Sequence, residues 1–495
     1  MSDSYILGID QSTQGTKALL FDDHGRIIGR SDITHKQMIN ELGWVEHDPV
    51  RIYDNTVAVV KALIEKLAIN KSRIIGIGLT NQRETAVVWD RDSGLPVYNA
   101  IVWQCARGAA ICKRLVPHAA MIQSRTGLNL SPYFTAAKIA WILENVEGAK
   151  DKSETGRLAC GTMDSWLVYK LTGGKNFKTD YSNASRTQLF NIASLKWDDE
   201  ICALFGISPA CLAEVCDSDA YFGATDLEGY FDQPVPIYSV IGDSHGALFG
   251  QHCLERGMVK ATYGTGSSVM MNIGEEPAFS KKGLVTSLAW GRKGKVEYVL
   301  EGNINYTGAV ISWLKDDLGL IRDAAETQVL AQAANPADKT FLVPAFSGLG
   351  APYWKSDATA VWCGMTRTTG KAELVKAALD SIGHQIADIV NVMAEEAGLT
   401  IMELRGDGGP TRNSYLMQFQ SDILNIPVRV PEEEELSAIG AAYMAGISVG
   451  FYNQQQLFAD RKAAIFTPKM EEALRKERHR GWKSAIAMAL NNKEA

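Results

Sequence analysis

Several features are missing from this chain of 495 residues, and each absence removes a class of function. None of its eight cysteines (Cys105, Cys112, Cys160, Cys202, Cys211, Cys216, Cys253 and Cys363) belongs to a Cys-x-x-Cys pair. In a chain of this length that pattern excludes a disulfide frame or zinc site and reads as buried thiols of a reducing compartment. No apolar run is long enough to cross a bilayer. Met1 to Asp10 holds only a short apolar stretch broken by Asp3 and Asp10, neither a signal peptide nor a spanning helix, so the cytoplasm is the expected location. Long basic runs are absent too, and the formal net charge is -7. Phosphate neutralisation needs clustered Lys and Arg, so neither nucleic acid nor an anionic membrane surface is an expected partner.

What remains is an ordinary globular balance, 46% hydrophobic and 22% charged. Single cores stop growing near ~250–300 residues, so two domains are expected. The pattern of short apolar runs and small-residue turns reads as an α/β fold. Tyr5 to Ile9, Lys17 to Phe21 and Arg26 to Arg30 read as strands, and a helix is expected from about Pro49 to Leu67. Arg73 to Leu79 and Pro236 to Ile241 are further strands, each ending in polar residues. The second half repeats the outline with Met258 to Tyr263, a turn, and Val269 to Ile273. Met402 to Arg405 then leads into Gly406-Asp407-Gly408-Gly409. This weak duplication puts a boundary between 246 and 256, dividing the chain into 1–250 and 251–495. No low-complexity linker separates the halves, so they are expected to pack closely. Glu471 to Leu490 reads as an amphipathic helix whose Arg475, Lys476, Arg478 and Arg480 form a solvated face.

Three turns suit phosphate binding, because tight small-residue turns aim several backbone N–H groups at one point. The first is Asp10 to Lys17, in which Lys17 could reach an anion and Asp10 could hold the water shell of a magnesium ion. It is not a Walker loop, since Gly15-Thr16-Lys17 has the wrong order. The second is Tyr263 to Ser267 and the third Gly406 to Asn413. A plain hairpin or strand–helix turn accounts for each of them alone. None carries the Gly-x-Gly-x-x-Gly fingerprint, which sets a dinucleotide-dependent dehydrogenase aside.

Asp243 ends an apolar strand and could accept the proton of an attacking hydroxyl. Spacing alone favours a capping role for it at the following helix. His245 is a rival base or a neutral core histidine. Arg83 and Glu84 offer a donor and an acceptor side by side, as a polyhydroxy ligand requires, or form a surface ion pair.

Longer ordered segments go further. Thr80 to Thr85, Gly43 to Pro49, Tyr98 to Gln104, Thr179 to Thr187, Pro344 to Trp354 and Leu416 to Leu424 resemble the glycerol kinases of the FGGY carbohydrate kinase family. The similarity runs from about Tyr5 to Tyr452. It implies two actin-like (ribonuclease H-like) domains with ATP, Mg2+ and a small polyol in the cleft between them. It also implies phosphorylation of a terminal hydroxyl, with glycerol as the leading substrate and a tetritol or pentulose as the alternative. A non-catalytic ATP- or sugar-binding module on the same fold is a third reading, opposed by the presence of Asp10, Asp243 and Thr265. By position, the resemblance makes Asp243 the catalytic base, with Asp10 and Asp243 beside the metal. Asp10, Thr13, Gln14 and Lys17 fall on the first phosphate turn, and Thr265 and Gly266 on the second. Gly308, Gly409 and Asn413 fall on the nucleotide side. Arg83, Glu84, Trp103 and Tyr133 line the polyol pocket. Ser244 and Ser268 stand where the family has Gln and Phe, and Ser12 and Lys17 replace a Gly and an Arg. The two serines remove volume and add hydroxyls beside the substrate, which suits a longer polyol or a ketose. Family members often self-associate, which implies a homodimer or homotetramer.

Overall fold

The computed structural model describes residues 4–459 and 461–491. Its first half is built on a six-stranded sheet. The strands are β1 (Tyr5–Gln11), β2 (Gly15–Phe21), β3 (Ile27–Thr34), β4 (Ile74–Asn81), β5 (Gly223–Thr225) and β6 (Val235–Gly242), in the order β5-β6-β4-β1-β2-β3. β1 pairs antiparallel with β2 and parallel with β4, and β4 pairs parallel with β6. β1 is buried along nearly its whole length, as a strand covered on both faces must be. One cover is α1 (Pro49–Leu67), whose limits match the expected helix. Asp48 accepts from the Val50 and Arg51 N–H groups, Pro49 opens the first turn, and Ala68 closes the helix in the left-handed region at φ 49.

The second half is built on a seven-stranded sheet of β7 (Val259–Tyr263), β8 (Ser267–Gly274), β9 (Val285–Arg292), β10 (Lys295–Ile304), β11 (Leu404–Asp407), β12 (Val428–Pro431) and β13 (Ala463–Phe466). The order is β9-β10-β8-β7-β11-β12-β13. Here β7 pairs antiparallel with β8 and parallel with β11, and β11 pairs parallel with β12. The same hairpin-plus-parallel core therefore occurs in both halves, as the duplicated outline implies. Each first strand ends at a polar turn, which puts the candidate turns at corresponding places.

α2 (Asp243–Gly250) starts directly at the end of β6. It packs against α3 (Leu436–Ser448), a helix from late in the chain that also crosses β1, β4 and β6. The approach is close enough to require glycine: a Cβ on Gly440 would strike the Gly246 carbonyl. The helix carrying Asp243 is thus held by an element from the other half of the sequence. The C-terminal helix Glu472–Asn491 forms as expected, but its charged face is not wholly solvated. Arg478 is buried and donates to the carbonyls of Asp338 and Pro336. All eight cysteines are free thiols, six buried and Cys216 and Cys363 half-buried. Among the described residues no helix is long and apolar enough to cross a membrane.

Candidate active site

The residues expected on the polyol side converge where β4 and β6 end. Arg83 and Glu84 follow the last residues of β4, and Asp243 follows β6. Arg83 Nε lies 3.3 Å from Asp243 Oδ1, while Nη1 and Nη2 donate to Glu301 Oε2 and Oε1 at 3.0 and 2.8 Å. Arg186 Nε donates to Glu84 Oε1 at 2.5 Å, and its Nη1 lies 2.8 Å from Glu301 Oε2. Glu301 belongs to β10 of the second sheet, so one carboxylate fastens two arginines of the first half. The network is closed to solvent at Arg186 and Glu301, whereas the Asp243 side chain keeps 35% of its exposure. Burial opposes ionisation of Glu301, but Arg186 and Arg83 outweigh it and hold its pKa well below the usual range. Burial likewise opposes the Arg83 cation, and Glu301, Glu84 and Asp243 together push its pKa up. Arg83 and Glu84 are therefore buried members of a network and not a surface pair.

Glu84 has φ 59, in the left-handed region that a residue with a Cβ rarely adopts. Such a conformation persists only where its surroundings enforce it. Here the carboxylate is held by Arg186, and the backbone carbonyl accepts from Thr135 Oγ1 at 3.3 Å.

Asp243 is the first residue of α2. Gly242 occupies the cap position and no side chain caps the helix, so the capping role favoured by spacing is not the one found. Asp243 Oδ1 accepts from the Ser244 N–H at 2.6 Å. His245, the rival base, is fully buried with Nε2 3.4 Å from Ser287 Oγ. Burial and the nearby Arg83 push its pKa well down, so it is a neutral core histidine. Asp243, not His245, is open to a ligand.

The aromatic wall and the first turn meet. Trp103 and Tyr133 stand edge to face with ring centres 5.7 Å apart, and Trp103 Nε1 donates to Thr13 Oγ1 at 2.9 Å. Burial, then Glu84, pushes the Tyr133 phenol up, so it stays protonated. Lys138, fully buried, donates to the Tyr133 and Phe134 carbonyls and fixes that segment. Ser268 Oγ donates to Glu301 Oε1 at 3.2 Å, which brings this serine into the cluster. Ser244 touches it only through its backbone N–H.

Asp10, the penultimate residue of β1, is almost fully buried, and its Oδ1 has no hydrogen-bond partner among the described residues. Burial raises its pKa to about 7; Lys17 counteracts, and Asp243 adds to the rise. A buried carboxylate oxygen without a donor, beside a second carboxylate, fits a hard cation that keeps most of its waters. No group of three or more His, Cys, Asp or Glu forms a metal cage among the described residues. Lys17 is not free, because its Nζ lies 2.7 Å from Glu435 Oε2, and Arg30 pairs with the other oxygen at 2.6 Å. Gln14 is exposed, and its carbonyl accepts from the His35 N–H at 3.0 Å.

On the far side, the Thr265 carbonyl accepts from the N–H groups of Thr307 and Ala309, both at 3.0 Å, which leaves its exposed side chain free of that tie. A Cβ on Gly266 would collide with the Ile304 carbonyl, and one on Gly308 would sit 2.5 Å from the Gly264 carbonyl. Gly308, Gly409 and Asn413 line one cavity of about 520 Å³, with Ile311, Leu379, Ile382 and Leu416 supplying apolar walls. Asn413 donates to Thr327 Oγ1 at 3.0 Å. A mostly apolar cavity edged by the amides of Gln328 and Asn413 suits a heteroaromatic base. The expected nucleotide-side residues thus share one cavity. Sequence reasoning missed Glu301, Arg186 and the cavity walls. The available signal was Glu301 itself, a glutamate directly after the apolar run Tyr298-Val299-Leu300 of the strand Lys295–Ile304.

This geometry can be set beside known proteins. The profile of the FGGY carbohydrate kinase N-terminal domain matches residues 5–250, and that of the C-terminal domain matches 259–449. The chain belongs to the FGGY family of carbohydrate kinases. Glycerol kinase of Carboxydothermus hydrogenoformans is 47% identical to it over 99% of both chains. Glycerol kinase 1 of Thermotoga maritima is 48% identical over 98% of this chain and 99% of that one. The crystal structure of Plasmodium falciparum glycerol kinase with ADP superposes with a TM-score of 0.93 at 35% identity, covering 99% of each chain. Xylulose kinase of Lactobacillus acidophilus, at 19% identity and TM-score 0.88 over 99% of each chain, shares the fold. The actin-like architecture implied by the sequence is borne out for this FGGY kinase.

Proposed function

We propose that the chain transfers the γ-phosphoryl group of ATP to a terminal hydroxyl of a small polyol, with glycerol giving glycerol 3-phosphate as the reference reaction. The observation that carries the reading is Asp243: the one acidic group of the polyol cluster with an open side chain, fixed against Arg83 at a strand end. Of the two halves, 1–250 supplies the first phosphate turn and most of the polyol side, and 251–495 supplies the nucleotide side and adds Glu301 and Ser268 to the polyol cluster. Arg83, Glu84, Trp103 and Tyr133 orient the polyol, and Asp243 takes the proton as the hydroxyl oxygen bonds to the γ-phosphorus. The bond from that phosphorus to the β–γ bridging oxygen breaks, and ADP leaves. Thr13, Gln14, Thr265 and Gly266 surround the phosphates, while Gly308, Gly409 and Asn413 hold the nucleoside. Asp10, with Asp243 beside it, would hold Mg2+ through water, and the ion when bound supplies positive charge to the phosphate oxygens. Covering the site keeps water from competing for the phosphoryl group. The free thiols support a reducing, cytoplasmic setting.

The test is ADP release with ATP, Mg2+ and glycerol, with the phosphorylated product identified by mass. Product formation dependent on both substrates supports the reading; binding of both ligands without product refutes it.

A further inference from the structure

A cavity of about 220 Å³ lies against the segment 250–252, where α2 ends. It shares no lining residue with the cavity that holds Gly308, Gly409 and Asn413. The length of α2 sets Gly250, on its wall, roughly 10 Å from Asp243. Four cations line it: Arg405 of β11, Arg429 of β12, and Arg461 and Lys462 just before β13. Among the described residues, no carboxylate is on the lining. The fold gathers these side chains from separate strands, so no basic run marks the cluster in the sequence.

Arg405 and Arg429 are direct neighbours in the parallel ladder. Adjacent strands stand ~4.7–4.9 Å apart, so the two side chains leave one face of the sheet side by side. Like charges so placed repel, and the repulsion is only partly relieved. Glu403 takes Arg405 Nε at 2.7 Å but reaches Arg429 Nε only at 3.5 Å. Glu433 reaches Arg461 Nη2 at 3.5 Å. Among the described residues, the terminal nitrogens of Arg429 and the ammonium of exposed Lys462 have no partner.

The rest of the wall is fixed. Arg405 Nη1 donates to the Gln251 and His252 carbonyls, and Arg461 Nη1 to the Gly250 carbonyl. His252 is held at φ 59, with its ring stacked on Phe458 at 4.2 Å between centres. Burial, then Arg405, holds the His252 pKa below its ordinary value, and Arg461 acts in the same direction. Guanidinium forks match the geometry of phosphate oxygens, and a lysine adds a point charge. The volume is below the ~300–1,000 Å³ of sites that enclose drug-sized ligands, which suits a compact anion and not a nucleotide.

We propose that this cavity binds a phosphate dianion, free or as the head of a small monoester. Arg429 and Lys462 supply its open donors, with Arg405 and Arg461 behind them. The bound anion relieves the repulsion among the four side chains at the junction of the two halves.

The experiment follows the His252 ring resonance of the full chain, histidine-labelled and assigned by its loss in His252→Asn. Inorganic phosphate or methyl phosphate is added at constant ionic strength, with chloride as the control. Phosphate is expected to shift the resonance saturably, and chloride to leave it in place. Binding of methyl phosphate as well extends the site to monoesters. In Arg429→Gln and in Lys462→Gln the phosphate affinity is expected to drop about tenfold or more, as for the loss of a charged hydrogen bond. Lys462 is exposed and has no side-chain partner among the described residues, so Lys462→Gln folds as the parent does. Phosphate bound elsewhere would leave the resonance unmoved. An unmoved resonance, or parental affinity in both variants, overturns the proposal.

Discussion

Arg83 and Glu301 meet across the two halves of the protein in a two-point ion pair, with Nη1–Oε2 at 3.0 Å and Nη2–Oε1 at 2.8 Å. Removing one member of a buried pair costs about 3–5 kcal/mol, because the other charge stays buried without a partner. Glu301→Gln leaves Arg83 with Asp243 and Arg186 with Glu84 as their remaining carboxylates, so denaturant unfolding is expected to show a loss toward the lower end of that range. The polyol KM should rise with it, since Arg83 loses the carboxylate that fixes it. A variant with unchanged midpoint and KM would mean that Glu301 does not hold Arg83.

Asp10 makes a prediction with a definite sign. Its folded pKa is about 7 against an ordinary 3.8, so the folded state keeps a proton that the unfolded chain loses. Stability therefore falls as pH rises from about 4 to 7, and above 7 the whole penalty is present. Asp10→Asn removes the penalty. Without Mg2+ and nucleotide, the variant should melt above the parent at pH 8 and nearly with it at pH 4.5, while losing Mg2+-dependent turnover. Equal melting curves at both pH values would show that Asp10 is not strained by burial.

How the sequence relates to this structure is clearest at particular residues. Runs such as Tyr5 to Ile9 were legible as strands because sheet burial demands continuous apolar character. Their ends were less so: β1 continues through Asp10 and Gln11, because ladder bonds do not stop where hydrophobicity does. Arg83, Glu84 and Asp243 could be singled out by their strand-end positions. Their partners Arg186 and Glu301 could not, since pairing across 218 positions leaves no local periodicity. Lys17 looked like a phosphate ligand by spacing, yet only the fold places Glu435 against it. Arg478 read as surface charge because its acceptors are backbone carbonyls far away in the chain.

Glu435 can be tested directly. The pairs it forms with Lys17 and Arg30 are partly exposed and worth ~0–1 kcal/mol each, so Glu435→Gln should melt only slightly below the parent. It also releases the Lys17 cation beside the first phosphate turn. The KM for ATP is expected to fall, and the KM for the polyol to stay put. An unchanged ATP KM would place Lys17 outside the phosphate site.

The cavity proposed for the nucleoside has its own probe in Gly409, where an added Cβ meets nothing within 4 Å. Gly409→Leu should therefore fold as the parent does. It should also fill the cavity and raise the KM for ATP by about tenfold, leaving the polyol KM unaffected. A variant with parental ATP affinity would move the nucleoside elsewhere.

The most direct measurement is the turnover of Asp243→Asn, which keeps the shape of the side chain and removes its ability to accept a proton. Losing a general base costs about 10²–10⁴-fold, so kcat should drop by that factor. Calorimetric affinities for the polyol and ADP should stay within a few fold of the parent's. Turnover near the parental rate with a folded variant would contradict the assignment of Asp243 as the group that takes the hydroxyl proton.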